Sequence, residues 1–187
     1  MDAETSQTFH LKIIEQTWSE MGPPEFDLWS LGRLWLEVHG EVILDGREFY
    51  GVSESALALL RTLDHDHTPQ QSLAEKLILH GCGTVLMMGC SIGVNWSVIH
   101  QEEQVILKDF QRWDSPDELH PRSFPGLEVA LPFMEYEVQV LNFAQQVKEF
   151  FKEEQKKFFD EQEHQAYEQF WLEFNERLNQ HKVKYQD

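Results

Sequence analysis

The sequence predicts an α+β domain: an antiparallel sheet of about six strands, mainly in residues 28–45 and 77–113, covered by helices and ending in long C-terminal helices. Three observations carry this. Apolar residues alternate or run in short blocks through the first two thirds of the chain, and from Phe133 onward they recur at helical spacing. The connections between successive apolar blocks are short, which implies antiparallel pairing. Strand signals come early and helix signals late, with one helix inserted, instead of alternating as in βαβ units. At 187 residues the chain reads as one domain, a strand-rich body over 1–132 and a helical part over 133–187.

Taken in order, Leu11, Ile14, Trp18 and Met21 recur at helical spacing while Phe9, Leu11 and Ile13 alternate as in a strand, and the longer stripe favours a helix. Gly22-Pro23-Pro24 ends that element, since proline fixes φ and removes a backbone donor. Leu34-Trp35-Leu36-Glu37-Val38 and Glu41-Val42-Ile43-Leu44-Asp45 flank His39-Gly40, a two-residue hairpin turn in which His39 is a surface residue. Ser53 reads as a helix cap, with Val52 and Leu57 as a hydrophobic staple and Leu59, Leu60 and Leu63 continuing the helix. Thr68-Pro69-Gln70-Gln71 has the form of a second, brief helix start. Apolar runs at 77–79, 84–88, 94–99 and 105–110, separated by glycine-rich or charged turns, give further strands.

Residues 114–132 carry four prolines and form a mostly irregular connection with a brief strand at 127–131. Beyond it, Val140, Ala144, Val147 and Phe151 make one helical stripe, and Tyr167, Phe170, Trp171, Phe174 and Leu178 make another. Asp160 with Glu163 is a restart signal, so two helices or one kinked helix follow. The pairs Phe150-Phe151, Phe158-Phe159 and Phe170-Trp171 cannot face one side of a helix, and one member of each needs a second burial surface.

The chain holds 33 acidic and 15 basic residues, a formal charge of −18, which repels nucleic-acid phosphates and anionic membranes. Residues 1–134 carry 21 acids and 8 bases, and the remainder 12 and 7, so the acidity lies mostly in the body. Two cysteines, Cys82 and Cys90, are too few for a disulfide framework or a four-thiolate zinc site and read as reduced thiols of a cytoplasmic protein. No targeting segment and no apolar run of membrane-spanning length is expected.

Three patterns have residue types that chemistry can use. Gly89-Cys90-Ser91-Ile92-Gly93 fits G-x-S-x-G, the turn that exposes a serine nucleophile, and Asp109 or Asp114, then His120 or His164, follow in the chain order of a Ser-Asp-His triad. That turn must open into a helix, whereas residues 94–100 alternate like a strand, so a glycine-flanked loop is the simpler reading. Asp64-His65-Asp66-His67 is the densest run of metal-ligand types, and His65 and His67 are the candidate ligands, but a polar helix end explains it as well. The H-x-H-x-D-H pattern of metallo-β-lactamase-like hydrolases is broken here by Pro69 and Gln70. Cys82 and Cys90 with His80 and His100 share the strand-rich middle, which alone does not make a mixed zinc site.

The acidic clusters Glu102 and Glu103, and Asp114, Asp117 and Glu118, are the candidate partner-binding residues. In its small size, acidity and tryptophan content the chain resembles, at the level of fold only, bacterial toxin-immunity proteins, and the resemblance implies binding and blocking of a partner. The expectation is therefore a non-catalytic interaction domain without cofactor or metal, whose protein partner has a basic surface. A small serine hydrolase using Ser91 and a small-molecule or metal-binding domain are the alternatives.

Overall fold

A computed structural model describes residues 8–19, 22–69, 76–80, 92–115, 117 and 120–182. Among these, an eight-stranded antiparallel sheet runs in sequence order: β1 (Phe9–Thr17), β2 (Leu31–Val38), β3 (Glu41–Gly51), β4 (Ile78–Leu79), β5 (Gly93–Gln101), β6 (Gln104–Trp113) and β7 (Arg122–Ser123), with β8 (Val129–Pro132) also on β6. The helices are α1 (Val52–Arg61), between β3 and β4, then α2 (Phe133–Phe151) and α3 (Glu161–Lys182). The expected α+β class, with long C-terminal helices, is the observed one.

The hairpin at 39–40 closes with positive φ at His39 (50°) and Gly40 (81°), the conformation whose twist matches the flanking strands. β2 alternates buried and half-buried residues along its whole length, with Leu34, Leu36 and Val38 at 0% exposure. The sheet curls at the two-residue β4. Arg112 of β6 therefore reaches back to β3, donating to the Ile43 carbonyl at 2.6 Å and to Glu48 at 3.0 Å. Phe9, Trp96, Phe110 and Tyr136 fill the enclosed core.

Three expectations are corrected. Residues 9–17 form β1, not a helix: Phe9 and Leu11 are buried by alternation, a bulge between Ile13 and Glu15 shifts the register, and Ile14 on the supposed helical stripe is 56% exposed. β1 is an edge strand, and Gln139 of α2 caps it by accepting the Leu11 N–H at 3.2 Å. Ser53 lies inside α1, where its hydroxyl accepts from Ser30 N–H and donates to Glu54, while Gly51 precedes the helix. Thr68 and Pro69 are not helical, and the rest of that motif, like the run at 84–88, lies outside the described residues.

α3 begins as its sequence signal requires. Glu163 N–H donates to Asp160 Oδ1 at 2.8 Å, and the Glu163 carboxylate accepts the Phe159 N–H at 2.8 Å. Two of the aromatic pairs find second surfaces within the chain, Phe150 on Trp18 of the segment after β1 and Trp171 on Phe151 of α2, whereas Phe159 stacks on Phe26 of the short 3-10 turn Pro24–Phe26 and stays 77% exposed.

Candidate functional site

Ser91 lies outside the described residues, as do Cys82, Cys90 and Glu118. The residues that follow the G-x-S-x-G match form β5, and Gly93 has a structural reason: its φ is +148°, and a Cβ there would stand 2.3 Å from the Ile78 carbonyl oxygen. Its lack of a side chain lets β4 lie against β5. Asp109, at φ +58° on β6, accepts a hydrogen bond from Ser97 Oγ at 2.8 Å. His120 is exposed in the connection after β6, and no hydrogen bond joins it to Asp109.

The run Asp64-His65-Asp66-His67 follows α1, and its members dock in different directions. Asp64 accepts from Arg177 Nη1 at 2.9 Å and lies 3.1 Å from His181 Nε2, tying the end of α1 to α3. Asp66 accepts the His100 N–H at 2.9 Å and sits 2.9 Å from its ring Nδ1; the backbone bond first, then the ring, hold the Asp66 carboxyl below its usual value. His67 exchanges both backbone hydrogen bonds with Val98 and places Nε2 2.7 Å from Asn95 Oδ1. His65 is exposed. The pattern thus anchors a turn to β5 and α3.

His181, which the sequence did not single out, is 1% exposed and lies between two carboxylates, with Nδ1 2.5 Å from Glu137 of α2 and Nε2 facing Asp64. The only hint was a polar residue continuing the Phe170, Phe174, Leu178 stripe. Among the described residues no three His, Cys, Asp or Glu side chains are arranged to hold a metal ion.

The acidic candidates separate. Asp114 pairs with Arg112 at 2.5 Å and Asp117 is exposed nearby, whereas Glu102 and Glu103 form the two-residue turn at the opposite end of β6, roughly 30 Å away along the strand. At that turn Phe133 N–H donates to the Glu103 carbonyl at 2.7 Å, which sets the first turn of α2 beside it. There Met134 is 61% and Val138 45% exposed, one helical turn apart, with exposed Glu135 between them. Glu102, Glu103 and Glu135 make no ion pair among the described residues. Met134 and Val138 lie off the buried stripe of α2, and the sequence reading, which followed that stripe, passed over them.

With fold and site in hand, the chain is defined as an antiparallel-sheet α+β domain carrying an acidic, partly apolar turn-and-helix surface. No family model, no curated protein and no solved structure matches it. No helix among the described residues is long and apolar enough to cross a membrane.

Proposed function

We propose that this chain is a non-catalytic protein-interaction domain of the cytoplasm, inhibitor-like in acting by occupancy, whose partner presents a basic surface. The observation that supports it is the pair Met134 and Val138 exposed beside Glu102, Glu103 and Glu135, whose carboxylates make no ion pair among the described residues. An apolar centre with a charged rim is how docking surfaces divide their labour: the centre supplies affinity, and the rim supplies steering and partner choice. A lysine- or arginine-rimmed apolar patch is complementary to it, and the overall charge of −18 draws such a partner from a distance.

The test is to recover the bound partner by affinity capture and measure its association kinetics. Met134→Asp should weaken the complex at least tenfold through faster dissociation. Glu102→Gln with Glu103→Gln should slow association severalfold at low salt and leave dissociation nearly unchanged. A partner indifferent to both sets of substitutions would remove this surface from the account.

A further inference from the structure

Between α2 and α3, residues 152–160 form a connection without helix or strand, and most of its side chains are exposed. Phe158 is half-buried, and Lys156 is enclosed. Its side chain is 2% exposed, and its Nζ lies 3.3 Å from the centre of the Trp18 ring and 5.5 Å from that of Phe151. The same ammonium donates to the Pro24 carbonyl at 2.9 Å and stands 3.8 Å from Glu154. Trp18 is held in place by Phe150 and Phe151, with ring centres 4.5 and 4.8 Å away. Asp27, 5% exposed, also acts on Lys156 through its charge; its Oδ1 accepts from Ser19 at 2.7 Å, and its Oδ2 is buried without a hydrogen bond.

An aromatic face and a carbonyl oxygen around one ammonium position, with Asp27 acting on it only through its charge, make a receptor for an ammonium group. Burial pushes the Lys156 amine below its usual value, so the chain holds this charge against a desolvation cost that a hydrocarbon side chain would not incur. Apart from Phe158, which packs on His164 and Tyr167 of α3, the rest of the connection is held at the surface. Lys157 N–H donates to the Glu25 carbonyl at 2.7 Å, its ammonium meets the Glu25 carboxylate at 3.3 Å, and Phe159 stacks on Phe26 while 77% exposed.

We propose that the pocket of Trp18, Phe151 and the Pro24 carbonyl is a binding site for a lysine side chain of the partner, and that Lys156 fills it in cis as a competing ligand until the 152–160 connection lifts. The partner's basic character is taken from the function proposed above; the site itself is independent of the Met134 surface. An ammonium that keeps an N–H is specified because the Pro24 carbonyl requires a donor, which a quaternary ammonium lacks. A tethered competitor acts at an effective concentration on the order of millimolar, so removing it should expose affinity that the intact chain conceals.

The experiment compares the wild-type chain with Lys156→Ala, which empties the pocket, and Lys156→Met, which fills it without charge. The probes are n-butylammonium, tetramethylammonium and an acetylated Gly-Lys-Gly amide, followed by NMR at the Trp18 indole N–H, assigned by its loss in Trp18→Leu. Lys156→Ala should bind n-butylammonium and the peptide at least tenfold more tightly than wild type, ignore tetramethylammonium, and lose both ligands when Trp18→Leu is added. Lys156→Met should bind no better than wild type. If Lys156→Ala is destabilised, n-butylammonium should raise its melting temperature toward that of wild type. The proposal is overturned if Lys156→Ala is neither bound nor stabilised by n-butylammonium, if it takes tetramethylammonium equally well, or if it binds the peptide no better than wild type. Failure here leaves the Met134 surface untouched, and a partner indifferent to Met134→Asp leaves these probe titrations unchanged.

Discussion

Glu54 is a carboxyl group in the first turn of α1, where the helix dipole favours an anion by up to about 1 kcal/mol. Burial opposes it and prevails. The residue is 8% exposed, Ser53 Oγ donates to Oε2 at 2.8 Å, Oε1 has no hydrogen bond, and burial pushes the acid up to about 7 despite these favourable bonds. The folded chain therefore prefers neutral Glu54, whereas the unfolded chain ionises it near 4.5. Its contribution to stability is fully present below 4.5 and is lost as pH rises through about 7. Glu54→Gln, which stays neutral, should be more stable than wild type at pH 8 by on the order of 2 kcal/mol, and the gap should shrink toward pH 4.5. Urea melts of both proteins across that range read the difference directly, and a gap independent of pH would refute the assignment. No sequence pattern marks this residue: a Glu in a first helical turn reads as a surface charge, and its burial depends on long-range packing. The Asp64 to His67 run was conspicuous for the opposite reason, since its composition resembles a ligand set while its partners, Val98, His100, Arg177 and His181, are distant in the sequence.

Elements were legible wherever their period was unmixed. β2 and β3 follow from alternation around His39-Gly40, and α2 and α3 from two stripes and the Asp160 restart. β1 was misread because a bulged edge strand breaks its alternation and happens to place Leu11, Ile14 and Trp18 at helical intervals. Lys156 was hidden by its setting, a run of Lys and Glu that reads as a solvated face. The restart signal carries its own prediction. Asp160 satisfies the Glu163 N–H at the head of α3, whose buried Phe170, Phe174 and Leu178 lie on the core side. Asp160→Ala should cost about 1 kcal/mol, and Asp160→Ser, which keeps an acceptor oxygen, should recover most of it. Equal losses in both variants, measured by chemical denaturation, would show that the cap contributes little.

At the scale of the whole molecule, the cations among the described residues are mostly engaged at short range. Arg112 stitches β6 to β3 and Asp114, Arg61 grips Glu173 through two bonds of 2.7 and 2.8 Å, and Arg177 joins Asp64 and Glu173. With 33 acids against 15 bases, these pairs leave a surplus of carboxylates spread over the surface. Added salt acts on both terms, but unequally. The ion pairs span 4 Å or less and are partly shielded from solvent, whereas the mutual repulsion of scattered carboxylates acts over distances comparable to the Debye length, which shrinks from about 30 Å at 0.01 M to about 8 Å at 0.15 M. Repulsion should therefore be relieved more than attraction is lost, and the folded state should gain on the order of 1 kcal/mol. For a chain of this size that corresponds to a melting temperature about 2–4 °C higher in 0.15 M than in 0.01 M sodium chloride. Scanning calorimetry at fixed pH makes the measurement, with sucrose as an uncharged control for general solute effects. A melting temperature that falls with salt would mean that the ion pairs outweigh the repulsion. The same screening weakens the field that draws a basic partner, so the association rate should fall over the salt range in which the free domain becomes more stable, two opposite responses from one distribution of charge.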